Sequence, residues 1–87
     1  MAQRSKREAI ALEVIRLIAA ERSRKAISMN VLAQRSGLSQ STISLIERDL
    51  RSPSLDTLLR IAEVLSIRLG DVLLKAEESV GSSRLAK

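Results

Sequence analysis

The chain has no cysteine, no histidine and no aromatic residue, and it has one proline and three glycines among 87 residues. Without cysteine there are no disulfides. Without cysteine and histidine together, the usual zinc ligands are gone. The same absences remove the nucleophile–histidine pairs of covalent catalysis. Metals that prefer oxygen would need closely spaced carboxylates, and no acidic cluster has that spacing. No enzymatic turnover, bound metal or cofactor is therefore expected. Lacking Phe, Tyr and Trp, the chain cannot stack unpaired bases, which excludes single-strand binding on aromatic platforms. No apolar run approaches the length of a membrane span. The first residues are basic and then partly apolar, but Glu13 and Arg16 interrupt the run, which argues against a secretory leader. A cytoplasmic location is the expectation that follows.

What remains is aliphatic and charged. Hydrophobic residues make up 45% of the chain, and all the bulky ones are Leu, Ile, Val or Met. Such a composition suits short packed helices better than a sheet, whose cross-strand pairs favour aromatics. The length allows one small core. The net charge of +5 is unevenly placed. Ten basic and five acidic residues fall within 1–51, whereas five of each fall within 52–87. The cationic half could be a polyanion-binding face or simply a solvated basic surface; charge alone does not separate these.

Periodicity divides the chain into helices. Residues 1–7 read as a basic flexible tail and 78–87 as a frayed C-terminal tail, with one ordered domain over 8–77. A first helix is expected from about Glu8 to Arg22, with Ile10, Val14, Leu17 and Ile18 on one face. Ser28 reads as the N-cap of a second helix whose inner face holds Leu32 and Ala33. Gly37 ends that helix in the left-handed conformation, and Leu38 plugs the corner. Ser39 caps a third helix. At ~100° per residue, Ile43 and Ile46 fall on one side of it, with Gln40, Ser41, Ser44, Leu45 and Arg48 on the other. Pro53 and Ser54 mark a fourth start, with Asp56 near the positive helix end. Leu55, Leu58, Leu59, Ala62 and Leu65 are its expected apolar face. A fifth helix is expected from about Leu69 to Glu77, with Val72 and Leu73 inward.

The spacing of Ala33, Gly37 and Ile43, followed by Ser41-Thr42-Ile43-Ser44 and Ile46-Glu47-Arg48, resembles the Cro and phage-repressor-like (XRE-type) helix-turn-helix family. So does the run from Pro53 to Ala62. A small residue at 33 lets two helices cross closely. The resemblance spans about residues 8–77. It implies an all-α, compact five-helix bundle of the lambda-repressor-like DNA-binding type, with helices 2 and 3 forming the helix-turn-helix. Departures exist. Met29 stands where the family commonly has a Gln that contacts the DNA backbone, and it has no such hydrogen bond to give. Asp49 replaces a glycine after the third helix. The family's helix-one arginine falls on Ala19, leaving Glu47 either to pair with Arg22 or to sit more exposed. Arg68 stands where helix five usually has a Ser or Thr cap. The link between the first two helices is a few residues longer than usual.

The resemblance further implies that the third helix enters the major groove N-terminal end first. Gln40, Ser41, Ser44 and Leu45 are then the base readers, Gln40 foremost because its amide can pair with adenine N6 and N7. Leu45 either touches a thymine methyl or is a stray exposed leucine. Ser28, Asn30, Ser39, Thr42, Arg48 and Arg51 become the phosphate contacts, with Ser44 near them. An internal salt bridge is the competing reading for Arg48 and Arg51. Family members usually bind palindromic operators as homodimers, and Ile61, Leu69, Leu73 and Leu74 are the candidate interface here. The expected function is a transcriptional regulator, repressor or restriction–modification controller-like, acting on double-stranded DNA. The alternatives are an antitoxin with a toxin partner, or a protein-interaction module on the same fold, which the apolar Met29, Val31 and Leu45 keep open.

Overall fold

In the computed structural model, which describes residues 5–85, four of the five helices begin at a serine whose hydroxyl closes the first turn. The helices are α1 (Lys6–Arg24), α2 (Met29–Ser36), α3 (Gln40–Glu47), α4 (Leu55–Leu65) and α5 (Leu69–Leu85). The caps are Ser5, Ser28, Ser39 and Ser54, accepting from the amides of Glu8, Val31, Thr42 and Thr57 at 3.0–3.1 Å. Each satisfies a backbone donor that the helix itself cannot. At Ser5 the bond is reciprocal, since Glu8 Oε1 accepts from the Ser5 amide at 2.9 Å. That capping box starts α1 two residues before the sequence reading and puts Lys6 and Arg7 in a helix rather than a tail. At the other end, α5 runs eight residues past Glu77. The rest of the proposed tails, 1–4 and 86–87, lies outside the described residues.

Gly37 ends α2 at φ +78, and its amide donates to the Ala33 carbonyl at 3.0 Å. Only glycine adopts that conformation cheaply. Leu38 packs against the core beside it, as the turn reading anticipated. The α2–α3 pair sits against α1 and α4, while α5 lies along α1. Leu32, Ile43, Ile61 and Leu65 are the large side chains removed from solvent completely or nearly so. Burial of this kind is worth roughly 1.5–3 kcal/mol for each such residue. Val14, Ile15, Ile18, Ala33, Ile46, Ala62, Leu69 and Ala76 complete the buried set.

Three expectations about α4 and α5 are corrected here. Leu55 and Leu59 do not face inward; they are 64% and 49% exposed, and Ile61 takes the core position instead. Ile61 and Leu69, read as interface residues, are 2% and 7% exposed and have no surface left to offer another chain. The reason is angular. Ile61 and Ala62 lie one turn before Leu65 and form an inner stripe with it, and Leu55 and Leu59 lie on its flank. Leu73, expected inward on α5, is instead at the surface with Leu74.

Candidate nucleic-acid interface

Helix α3 is amphipathic across its full length. Ile43 and Ile46 are 1% and 3% exposed and anchor its back to the core. On the opposite side, Gln40, Ser41, Ser44, Leu45 and Arg48 line one shallow, open depression. Gln40, Ser41 and Arg48 are exposed, whereas Ser44 and Leu45 are half-buried at its floor. The structure therefore brings together all the proposed base readers, with one guanidinium at the C-terminal end.

A second cluster stands at the N-terminus of α3. Ser39 Oγ accepts from the Thr42 amide at 3.0 Å and donates to Thr42 Oγ1 at 2.9 Å. Arg51, arriving from the loop after α3, donates from Nη1 to the same Thr42 oxygen at 3.4 Å. The Ser39 hydroxyl is thus fully engaged in its cap, and what that end offers a ligand is backbone N–H groups plus the Arg51 charge. Neither Arg48 nor Arg51 has a carboxylate partner among the described residues, so the internal salt-bridge reading does not hold for them. Ser28 and Asn30 are exposed at the start of α2, and Ser28 is engaged as that helix's cap. Met29, between them, is half-buried and packs against the core.

The orientation of α3 is fixed from behind. Glu47, its last residue, takes a two-pronged bond from Arg22: Nε to Oε2 at 2.6 Å and Nη2 to Oε1 at 2.9 Å. The third guanidinium nitrogen, Nη1, donates to the Ile27 carbonyl at 2.8 Å. Side-chain exposures of 16% and 11% leave the pair partly screened at most. The Glu47 hydrogen bond raises Arg22 above its ordinary pKa, against the opposing pull of burial. Of the two fates the sequence left for Glu47, this is the pairing one. One residue beyond Arg48, Asp49 takes φ +59 in place of the expected glycine. Aspartate is one of the few residues that visit this region with modest strain.

Two further cations hold neighbouring helices in place, and sequence reasoning did not single them out. Lys25 Nζ donates to the carbonyl of Leu65, the last residue of α4. Arg60 Nη1 reaches the Ser36 carbonyl at the end of α2 at 3.3 Å, while its Nε is held by Asp56 at 2.8 Å. The i,i+4 spacing of Asp56 and Arg60 was a legible signal for the second contact only.

A buried-back, polar-front helix, fixed after a glycine corner and presented at the surface, is the arrangement by which duplex grooves are read. The profile of the Helix-turn-helix family matches residues 18–72, from the second half of α1 to the first turn of α5. The chain belongs to the Cro/C1-type helix-turn-helix family. It is also similar to two proteins of Mycobacterium tuberculosis, from strains CDC 1551 / Oshkosh and ATCC 25618 / H37Rv, each described as an uncharacterized HTH-type transcriptional regulator. Identity to each is 44% over 50 residues, covering 58% of this chain and 36% of the relative. The matched stretch of this helix-turn-helix chain is thus little more than a third of the relatives' length.

Among the described residues no helix is long and apolar enough to cross a membrane, and no three metal-ligating side chains converge.

Proposed function

We propose that the chain is a sequence-specific, double-stranded DNA-binding regulator of transcription, working as a repressor or restriction–modification controller in the cytoplasm. Helix α3 lies in the major groove, with Gln40 and Ser41 leading and Ser44 and Leu45 following. Leu45, half-buried at the floor of the depression, offers its methyls to a thymine methyl rather than projecting as an isolated leucine. Arg48, Arg51, Thr42, Ser28 and Asn30 hold the flanking phosphates, helped by the amide-bearing starts of α2 and α3. The observation that carries this reading is the single depression formed by Gln40, Ser41, Ser44, Leu45 and Arg48 above two buried isoleucines. The competing protein-interaction reading is weakened at its source. Met29, Val31 and Leu45 are all half-buried, and Met29 packs against the core, so no fully exposed apolar patch replaces the polar face.

One reading helix covers only a few base pairs. A homodimer with two α3 helices roughly 34 Å apart would read a two-fold symmetric operator. Selection of bound fragments from a random duplex pool tests the proposal. Enrichment of a palindromic site supports it. Retention of nothing above background would reject it.

A further inference from the structure

The corner between α2 and α3 turns on a buried polar residue. Ser36, the last residue of α2, is 6% exposed. Its hydroxyl donates to the Ala33 carbonyl and accepts from the Leu38 amide, each at 3.3 Å. The Ala33 carbonyl also takes the amides of Gly37 and Leu38, at 3.0 and 3.2 Å. The Ser36 carbonyl is left over, because no helical amide lies ahead of it. Its partner comes from α4, where Arg60 Nη1 donates to it at 3.3 Å. The same nitrogen lies 3.3 Å from where a Cβ on Gly37 would stand, so the guanidinium rests on the corner itself. There it sets a positive charge at the negative end of α2. Asp56, one turn earlier on α4, holds the other side of the group, accepting from Nε at 2.8 Å. Acceptors on two elements thus fix one planar cation, which suits arginine better than a flexible ammonium.

We propose that Arg60 is a positioning residue for base reading: through the Ser36–Gly37 corner it sets the direction in which α3 departs, and with it the aim of Gln40. The inference rests on the major-groove reading of α3 above. Only Gly37, Leu38 and the Ser39 cap separate Ser36 from Gln40. The far end of α3 is already held by Arg22 and Glu47. A helix of eight residues fixed at one end pivots about that end, and its free end moves most. The free end carries Gln40 and Ser41, whereas Arg48 stands at the held end and moves least. Loss of Arg60 therefore degrades discrimination between bases before it degrades attraction to phosphates. The Arg60 side chain is 50% exposed, so a direct phosphate contact is the rival role. Salt separates the two. A lost phosphate contact lowers the salt slope by about one unit, whereas a lost aim leaves the slope alone.

Fluorescence anisotropy of the full chain on a selected operator and on a random duplex, at several salt concentrations, tests the proposal. Amide hydrogen exchange of the free chain runs beside it. Arg60→Ala is expected to weaken operator binding about fivefold or more, the low end of what one well-aimed base contact discriminates. Random-duplex affinity and the salt slope should stay nearly as they were. Exchange of the Gly37 and Leu38 amides should quicken, while that of Val14 and Ile18 in α1 should not. Arg60→Lys, which keeps a cationic donor at the corner, should recover most of the operator preference. A loss of stability alone does not move that preference, because unfolding removes operator and random binding together. Arg60→Ala added to Gln40→Ala should cost little more than Gln40→Ala by itself. Equal losses on both duplexes, a shallower salt slope, or corner amides that exchange at the parent rate each overturn the proposal. The two readings fail distinguishably. Operator preference lost with Gln40→Ala but kept with Arg60→Ala removes the positioning role alone; preference kept with Gln40→Ala removes the base reading and the positioning role with it.

Discussion

Gln40 stands exposed at the first position of α3 with the Ser39 cap behind it. Its amide carries both a donor and an acceptor, which is what the adenine edge requires. Gln40→Ala is expected to weaken binding to a selected operator by about 1–3 kcal/mol and to leave random-sequence affinity nearly unchanged. Fluorescence anisotropy on both duplexes measures this, and an equal loss on the two would show that Gln40 reads no base. Not every residue of similar type is equivalent. Ser41 is exposed at the rim of the depression, whereas the Ser39 hydroxyl is already committed on both its donor and acceptor sides. The cap, not a ligand, uses that oxygen.

At the scale of the element, α3 is only as well aimed as its supports. The Arg22–Glu47 pair holds its C-terminal end, and removing one partner leaves the other charge nearly buried and unmatched. Glu47→Ala should therefore lower stability by about 2–3 kcal/mol. For a domain of this size that is a fall in melting temperature on the order of 10 °C or more, readable by thermal denaturation. An unchanged melt would mean that the pair contributes nothing to holding α3. The link before α2 carries the opposite opportunity. Ala26 is exposed at φ +57, a conformation that strains any residue with a Cβ. Ala26→Gly relieves that strain but gives the unfolded chain more freedom. The expected net result is a gain of about 0.5–1 kcal/mol in urea denaturation. A loss of stability would show that Ala26 adopts this conformation without cost.

For the molecule as a whole, the charge excess in residues 1–51 is less available than its count suggests. Arg16 and Arg24 are occupied by acids on their own helix, Lys25 caps α4, and Arg22 is enclosed with Glu47. Arg48 and Arg51, near α3, are left without such partners. DNA affinity should fall steeply with salt, because each phosphate neutralised releases a counterion. Arg48→Ala should weaken binding to all sequences alike and reduce the salt slope by about one unit. Titrations at several salt concentrations decide it; a slope unaltered by the substitution would remove Arg48 from the phosphate contacts.

Local chemistry was enough for much of this. Serines followed by helix formers, Gly37 in the corner, and the opposition of Ile43 and Ile46 to Gln40, Ser41, Ser44 and Leu45 depend on spacing along one helix, so they are legible in the chain. The Ser5–Glu8 capping box was equally local, and its S-x-x-E pattern was there to be read. What the sequence did not determine is which of several aliphatic stripes turns inward. On α4, Leu55 and Leu59 read as core and Ile61 as interface, and only the packing of α4 against the other helices reverses them. Likewise Met29 looked like part of a surface, and only its packing against the core half-buries it. The partners of Arg22, Lys25 and Arg60 lie 25, 40 and 24 residues away. Periodicity is a property of one element, whereas burial and long-range ion pairing belong to the meeting of several, and that meeting exists only in the folded molecule.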